Sequence, residues 1–440
     1  MIAGSLVCAL GLVAVEVPLK YERYGENDRG FQPYGYVLLE KSAKAPPGDW
    51  KLPELKSAVP VYALAAIGSG KRLLILDKRD AKDSFYTRLY VDANGDGDLR
   101  NDLVSETAAP PEGENARQRP RLARFPAVDL TVDCGAYTTP FSVSAVSYFA
   151  GEMPEKGLTA EEIESERFYF YLMLNCCYRG ECELAGAKLK VILADTDVNG
   201  VIEPKVVMTE VRGETAPRGD WLFLSAGDEI DYRERTFFGS LLVFKSALYD
   251  VRFDAAGKIL RIEPSKAAAV TAAFPLDIER MTLVADGGGP TIMLVKSGAR
   301  AAIPAGKYLP AGYRALKKDA EGDLWRIEAQ ATAATPYIEI PGSGAKAAFG
   351  EPFVVKATVP DALYEQYAER VKKNPEARKQ LLLMLAIEGA AGERVTDLAH
   401  IEGDKTKIAL EKDGERPKEP TYSIAAADGT VLGTGSFRYG

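Results

Sequence analysis

The chain has 440 residues, 46% of them hydrophobic, with 55 Lys and Arg against 63 Asp and Glu for a formal net charge of −8. That length holds about three domains, and the acidic balance excludes nucleic acid and anionic membrane surfaces as natural partners. The single histidine, His400, excludes multi-histidine zinc sites and leaves Ser-His-Asp or Cys-His chemistry only if His400 itself serves.

Residues 2–15 are an apolar run of small and branched side chains, similar to the hydrophobic part of a signal peptide. A basic leader is missing, since the first basic residue is Lys20. Residues 1–15 are therefore read as a truncated signal peptide and the mature chain as extracytoplasmic: periplasmic, cell-surface or secreted. A buried first strand is the competing reading. Val7 stands where a lipoprotein signal before Cys8 would want Gly, Ala or Ser, so lipidation is not expected. No later stretch approaches the ~20 apolar residues that cross a bilayer, and no membrane span is expected in the mature chain.

Residues 16–264 form a β-rich domain, with strand-like runs at 34–39 and 72–76. Phe85, Thr87, Leu89 and Val91 alternate and lead into Asp-Ala-Asn-Gly-Asp-Gly-Asp-Leu-Arg-Asn-Asp at 92–102. Asp92, Asn94 and Asp96 place oxygens at every second position, and Gly97 follows where a Ca²⁺ loop must turn sharply. Ca²⁺ takes six to eight oxygens at roughly 2.3–2.6 Å, and alternating ligand with spacer lets one short segment supply several of them. Asp98 falls where a backbone carbonyl normally serves and Arg100 where a water bridges. The twelfth position is Leu103, which leaves the last ligand between Asp102, one residue early, and Glu106, three late. An Asn-Gly-Asp-Gly run also suits a solvated hairpin turn, but six acidic or amide side chains in eleven residues exceed what a turn requires.

The Pro- and charge-rich stretch 108–121 is expected as a surface excursion, 160–165 as a short helix and 168–174 as a strand. Beyond Cys8 lie Cys134, Cys176, Cys177 and Cys182. Cys176 or Cys177 can pair with Cys182 across Tyr-Arg-Gly-Glu, taken as a turn, in an exported protein; adjacent cysteines lack the usual zinc spacer, and buried free thiols are the plain alternative. Leu189, Val191 and Leu193 alternate before a second acidic loop, with Asp195, Asp197, Asn199 and Gly200 in the calcium spacing and Glu203 at the ninth position. Its twelfth position is Val206, which is not acidic. Two strand-then-acidic-loop units 103 residues apart hint at an internal duplication.

Further strands are expected at 221–224 and 241–244, and a hairpin over 249–262 that turns at 254–257. Residues 265–273 are Ala-rich and suit a linker. Residues 265–334 have the pattern of a small β-sandwich of the prealbumin or carboxypeptidase-regulatory kind. Residues 335–440 have that of an immunoglobulin-like sandwich, with an inserted helix over 361–373 along which Leu363, Tyr367 and Val371 share a face, and a closing hairpin that turns at Asp428-Gly429.

The fold class expected is thus mainly β: multidomain β-sandwiches with DxDxDG-type loops and one or two short helices. Through Asp92, Asn94, Asp96 and Gly97 the first 260 or so residues resemble uncharacterised exported β-rich bacterial proteins with EF-hand-like or dockerin-like calcium loops. A true dockerin leads each loop into a helix, whereas both loops lie among strands, so cohesin binding is not expected. The resemblance and the loops together imply an exported calcium-binding protein, with Ca²⁺ held by Asp92, Asn94, Asp96, Asp98 and Asp102 and by Asp195, Asp197, Asn199 and Glu203. Its role is read as binding or structural, toward an unidentified protein or glycan partner. The competing class is a carboxylate-based glycan hydrolase, which needs only two acids flanking a cleft. Asp195-Thr196 lacks the Gly of an aspartic-protease motif, Asp197 standing in its place, and Asp286-Gly-Gly-Gly289 lacks the Lys-Ser or Lys-Thr of a phosphate loop. His400, in a polar context near the C-terminus, is expected to be exposed and inert.

Overall fold

A computed structural model describes residues 13–24, 31–107, 121–151, 153–154, 157–211, 214–227, 230–341, 347–358, 368, 371–372, 374, 384–402, 405–407 and 421–436. Cys8 and most of the signal-like run, the excursion at 108–120 and nearly all of the helix expected over 361–373 lie outside them. The chain is mainly β with several sheets. It divides into two compact units: residues 1–205, 218–238 and 251–263 in one, and 206–217, 239–250 and 264–440 in the other.

In the first unit, an antiparallel sheet runs in the order Lys41–Ser42, Val61–Ile67, Gly70–Asp77, Arg88–Val91, Ser105–Glu106. A second has the order Tyr36–Leu38, Phe168–Leu174, Thr138–Phe149, Leu122–Asp133, and a third Arg235–Phe237, Trp221–Ser225, Ala187–Ala194, Cys176–Leu184, Lys20–Arg23. Side-chain period explains each. Phe168, Phe170, Leu172 and Leu174 alternate into the core while Tyr169, Tyr171 and Met173 stay half-buried on the other face, as a sheet with one solvated side requires. The run Leu73-Leu-Ile-Leu76 is apolar without alternation because both faces of its strand are covered. Leu74 and Leu76 join the main core with Phe85, Phe141 and Ile192, and Leu73 and Ile75 pack with Tyr62, Tyr90 and Leu99 in a smaller one. The short helix Ala160–Glu164 forms where expected, started by a capping box in which Thr159 and Glu162 satisfy each other's backbone N–H groups.

In the second unit, the strands Thr291–Ile303, Val270–Ala285, Gly306–Lys318, Leu324–Gln330, Arg394–Glu402, Met384–Glu388 and Val354–Thr358 follow one another in a single sheet. Two expectations change. The strand from Val270 shortens the linker to 265–269, and the boundary at 334/335 falls inside one sheet because Leu324–Gln330 pairs with Arg394–Glu402. Sequence composition marks turns, but only long-range pairing shows which strands share a sheet. Glu393, fully buried, fastens this unit: its carboxylate accepts from the N–H groups of Gly350 (2.6 Å) and Ala391 (2.9 Å) and from the Tyr313 hydroxyl (3.0 Å).

Two local readings are corrected. His400 is 5% exposed, not solvent-facing, because its strand pairs it with Trp325, whose ring lies 5.2 Å from the imidazole. Tyr-Arg-Gly-Glu between Cys177 and Cys182 is mid-strand, within Cys176–Leu184. At ~3.3 Å per residue, Cys182 then stands roughly 16 Å or more from Cys176 and Cys177, beyond the reach of a disulfide; Cys134, Cys176, Cys177 and Cys182 are free thiols.

Candidate metal centre

The second acidic loop leaves the strand Ala187–Ala194 directly. Ala194 pairs with Trp221, so Asp195 and Asp220, the next residue outward on each strand, sit side by side. Beyond Asp195 the backbone curls through left-handed conformations at Val198 (φ 59°) and Gly200 (φ 80°), which turns the N–H groups of Asn199 and Gly200 back onto Asp195. One carboxylate oxygen from each of Asp195, Asp197 and Asp220 then lies within 4.8 Å of the other two, the one such group of three His, Cys, Asp or Glu side chains among the described residues.

Hydrogen bonds fix the loop before any ligand enters. Asp195 accepts from the N–H groups of Asn199 (3.1 Å) and Gly200 (2.5 Å), the Asn199 side-chain oxygen accepts from Val201 N–H (2.7 Å), and Asp220 Oδ2 accepts from Glu203 N–H (2.8 Å). Thr196 donates its hydroxyl to the Gly219 carbonyl at 2.6 Å, and the Asn199 carbonyl accepts from Gly68 N–H at 2.7 Å, tying the loop to the Val61–Asp77 hairpin. What remains unsatisfied is informative: Asp197 Oδ1 and Asp220 Oδ1 are buried with no hydrogen-bond partner among the described residues.

The electrostatics point the same way. Asp195 is 4% and Asp220 1% exposed. Burial pushes both carboxyls well above the usual carboxylate range, and repulsion from Asp197 on Asp195, and from Asp195 and Asp197 on Asp220, pushes further. Burial raises Asp197 as well, against a hydrogen bond from Asp195 and the positive charge of Lys205. Such a cluster has two stable forms: partly protonated, or closed on a cation that replaces the protons. All three donors are carboxylate oxygens, the chemistry that suits hard cations such as Ca²⁺, Mg²⁺ or Mn²⁺. The cluster can hold a metal ion.

Of the four side chains expected at this loop, Asp195 and Asp197 converge. Asn199 uses its oxygen within the loop, and Glu203 turns its carboxylate to Lys205, 3.8 Å away. Asp220 escaped sequence reading. It lies outside the loop, and its only mark is an acid immediately before the apolar run Trp221-Leu-Phe-Leu; the strand register, not the spacing, delivers it.

In the first loop, Gly95 (φ 81°) and Gly97 (φ 73°) make the same two left-handed turns. Asp92, 1% exposed, accepts from Gly95 N–H (2.9 Å) and Gly97 N–H (3.4 Å). Asn94 and Asp96 accept from the N–H groups of Asp96 (2.9 Å) and Asp98 (2.7 Å), and Asn101 donates its amide to Asp96 at 2.9 Å. Asp98 is taken by Arg100 (2.8 Å) and Lys51 (3.4 Å), and the Arg100 hydrogen bonds hold its carboxyl well below the usual range. Asp102 Oδ1 accepts from Ala93 N–H at 3.2 Å, closing the loop, while Oδ2 is buried without a partner among the described residues. Burial and the charges of Asp92 and Asp96 raise Asp102 to about 6. Glu106, the other candidate for last ligand, bonds Arg88 (2.7 Å) and Arg79 (3.1 Å) instead.

Comparison of the chain with family models, with curated proteins and with solved structures gives no match.

Proposed function

We propose that this is an exported calcium-binding β protein with a structural or binding role, in which Asp195, Asp197 and Asp220 hold Ca²⁺. The observation that carries this reading is the convergence of three largely buried carboxylates with two buried oxygens left over. Calcium is favoured over magnesium because the donors come from an irregular loop and a neighbouring strand, and Ca²⁺ tolerates irregular coordination whereas Mg²⁺ demands a near-ideal octahedron. The signal-like run at 2–15 supports export, and extracellular calcium modules work with weak sites of ~10⁻⁴–10⁻³ M, which a third ligand less buried than the other two, Asp197, suits. The role is structural first: the loop is bonded to Gly68 and to Gly219, so the ion would pin three strand connections of one unit. The partner is proposed to be a protein or glycan bound by the surface so stabilised. Asp195 and Asp220 are too deeply buried to serve as the pair of acids that flanks a sugar in a glycan hydrolase.

Calorimetric titration of the full chain with CaCl₂ tests the site. Saturable binding that disappears in Asp195→Asn is expected, with MgCl₂ far weaker. Calcium binding unaltered by Asp195→Asn would remove the assignment.

A further inference from the structure

We infer that the two loops solve one charge problem in opposite ways, the first with the guanidinium of Arg72 as a built-in counter-cation and the second with a divalent cation, so that the chain takes up one Ca²⁺ and not two. The second half rests on the function proposed above; the first stands on Arg72 alone.

The loops share a backbone. Their fourth and sixth positions are left-handed, Gly95 and Gly97 in one and Val198 and Gly200 in the other. In both, the first Asp accepts from the sixth N–H and the fifth side-chain oxygen accepts from the seventh N–H. They differ in what the neighbouring strand brings. At the second loop it brings Asp220. At the first, Leu74 pairs with Val91 and Asp92 N–H donates to the Leu73 carbonyl at 3.0 Å, so Leu73 stands opposite Asp92 and Arg72, one residue further along the strand, stands opposite Ala93 inside the loop.

Arg72 is 4% exposed. Its Nη2 donates to the Thr131 carbonyl at 2.8 Å, while Nε and Nη1 are buried with no hydrogen-bond partner among the described residues. The guanidinium lies against the loop itself: a Cβ built on Gly95 would come 1.8 Å from Nη1, so any side chain at the fourth position would push the guanidinium out of its place. A guanidinium cannot shed its charge, and a buried one is tolerated only beside opposite charge; its positive charge acts on Asp102, counter to the push from Asp92 and Asp96.

Charge then decides between the loops. The first sets Asp92, Asp96, Asp98 and Asp102 against Arg72, Arg100 and Lys51. The second sets Asp195, Asp197, Glu203 and Asp220 against Lys205. A divalent cation would leave the first loop net positive beside a buried guanidinium. The second would still be net negative.

The test is calcium stoichiometry by calorimetry on the full chain, with CaCl₂ as the only titrant. Wild type is expected to take one Ca²⁺, Asp220→Asn none and Asp92→Asn one; Arg72→Met is expected to gain a second site that Asp92→Asn removes again. Two sites in wild type, or loss of the wild-type site in Asp92→Asn, would overturn the inference. If wild type takes no calcium, the proposed function fails alone, and Arg72 is read from thermal unfolding in EDTA. There Arg72→Met should lower the midpoint, Arg72→Lys should keep most of it, and adding Asp102→Asn to Arg72→Met should recover part of the loss. An Arg72→Lys variant as damaged as Arg72→Met, or a double variant that recovers nothing, would show that packing and not charge is at stake and overturn the inference too.

Discussion

Asp220 is held by a single backbone N–H on one oxygen and by nothing on the other, in a site already charged by Asp195 and Asp197. Replacing it by Asn should therefore abolish calcium stabilisation yet leave the calcium-free protein as stable as wild type or more so, because a buried repulsion is gone; unfolding midpoints with and without EDTA check both halves. The pH dependence has a definite sign. Asp195, Asp197, Asp220 and Asp102 are all raised above their ordinary value near 3.8, so the folded, calcium-free state holds protons that the unfolded state releases. Its stability should rise as pH falls from 7 toward 5, through the raised values, Asp102 near 6 among them, and level off below about 4. With calcium bound the same descent should destabilise, since protons compete with the ion. Melting curves of the EDTA-treated protein that fall steadily from pH 7 to 5 would refute the assignment of these shifts.

The two loop glycines test the elements that carry them. Gly200 is left-handed, and a Cβ there would come 2.9 Å from both Ile67 and Val132, whereas at Gly97 the nearest atom is Trp50 Cε3 at 3.6 Å. Gly200→Ala should cost roughly 2–3 kcal/mol from strain plus collision, and Gly97→Ala about 1 kcal/mol from the backbone alone; denaturant unfolding gives the order. On the strand Cys176–Leu184, non-reducing mass spectrometry should find no link from Cys182 to Cys176 or Cys177. Native thiol reactivity should be slow, because burial pushes Cys176 up to about 12 and Cys177 and Cys182 to about 11. These elements also mark how far sequence reaches. Alternation located the strand Phe168–Leu174, the turn residues located the hairpin Ala247–Pro264, and the one-three-five spacing located both loops. The cysteine strand was misread because Tyr-Arg-Gly-Glu contains a turn-forming Gly, and at Gly180 the small side chain instead admits the Pro18 carbonyl, 2.7 Å from where a Cβ would stand. Asp220 and Arg72 were invisible for a shared reason: each reaches its loop from a neighbouring strand, through register that no local spacing encodes.

At the scale of the molecule, the acidity of the chain is spread unevenly: some acids are matched by arginine and lysine within their own loop, and three are gathered where they lack a match. If a cation completes that cluster, the unit that contains it should be calcium-dependent in its stability. The most direct measurement is thermal unfolding of the full chain in excess EDTA, in millimolar CaCl₂ and in millimolar MgCl₂, with Asp220→Asn alongside. At about a hundredfold excess over Kd, calcium linkage is worth ~2.7 kcal/mol, so the account predicts a wild-type midpoint roughly 5–10 °C higher in calcium than in EDTA, little change in magnesium and no calcium shift in Asp220→Asn. Equal midpoints in EDTA and calcium, or a calcium shift that survives in Asp220→Asn, would contradict it.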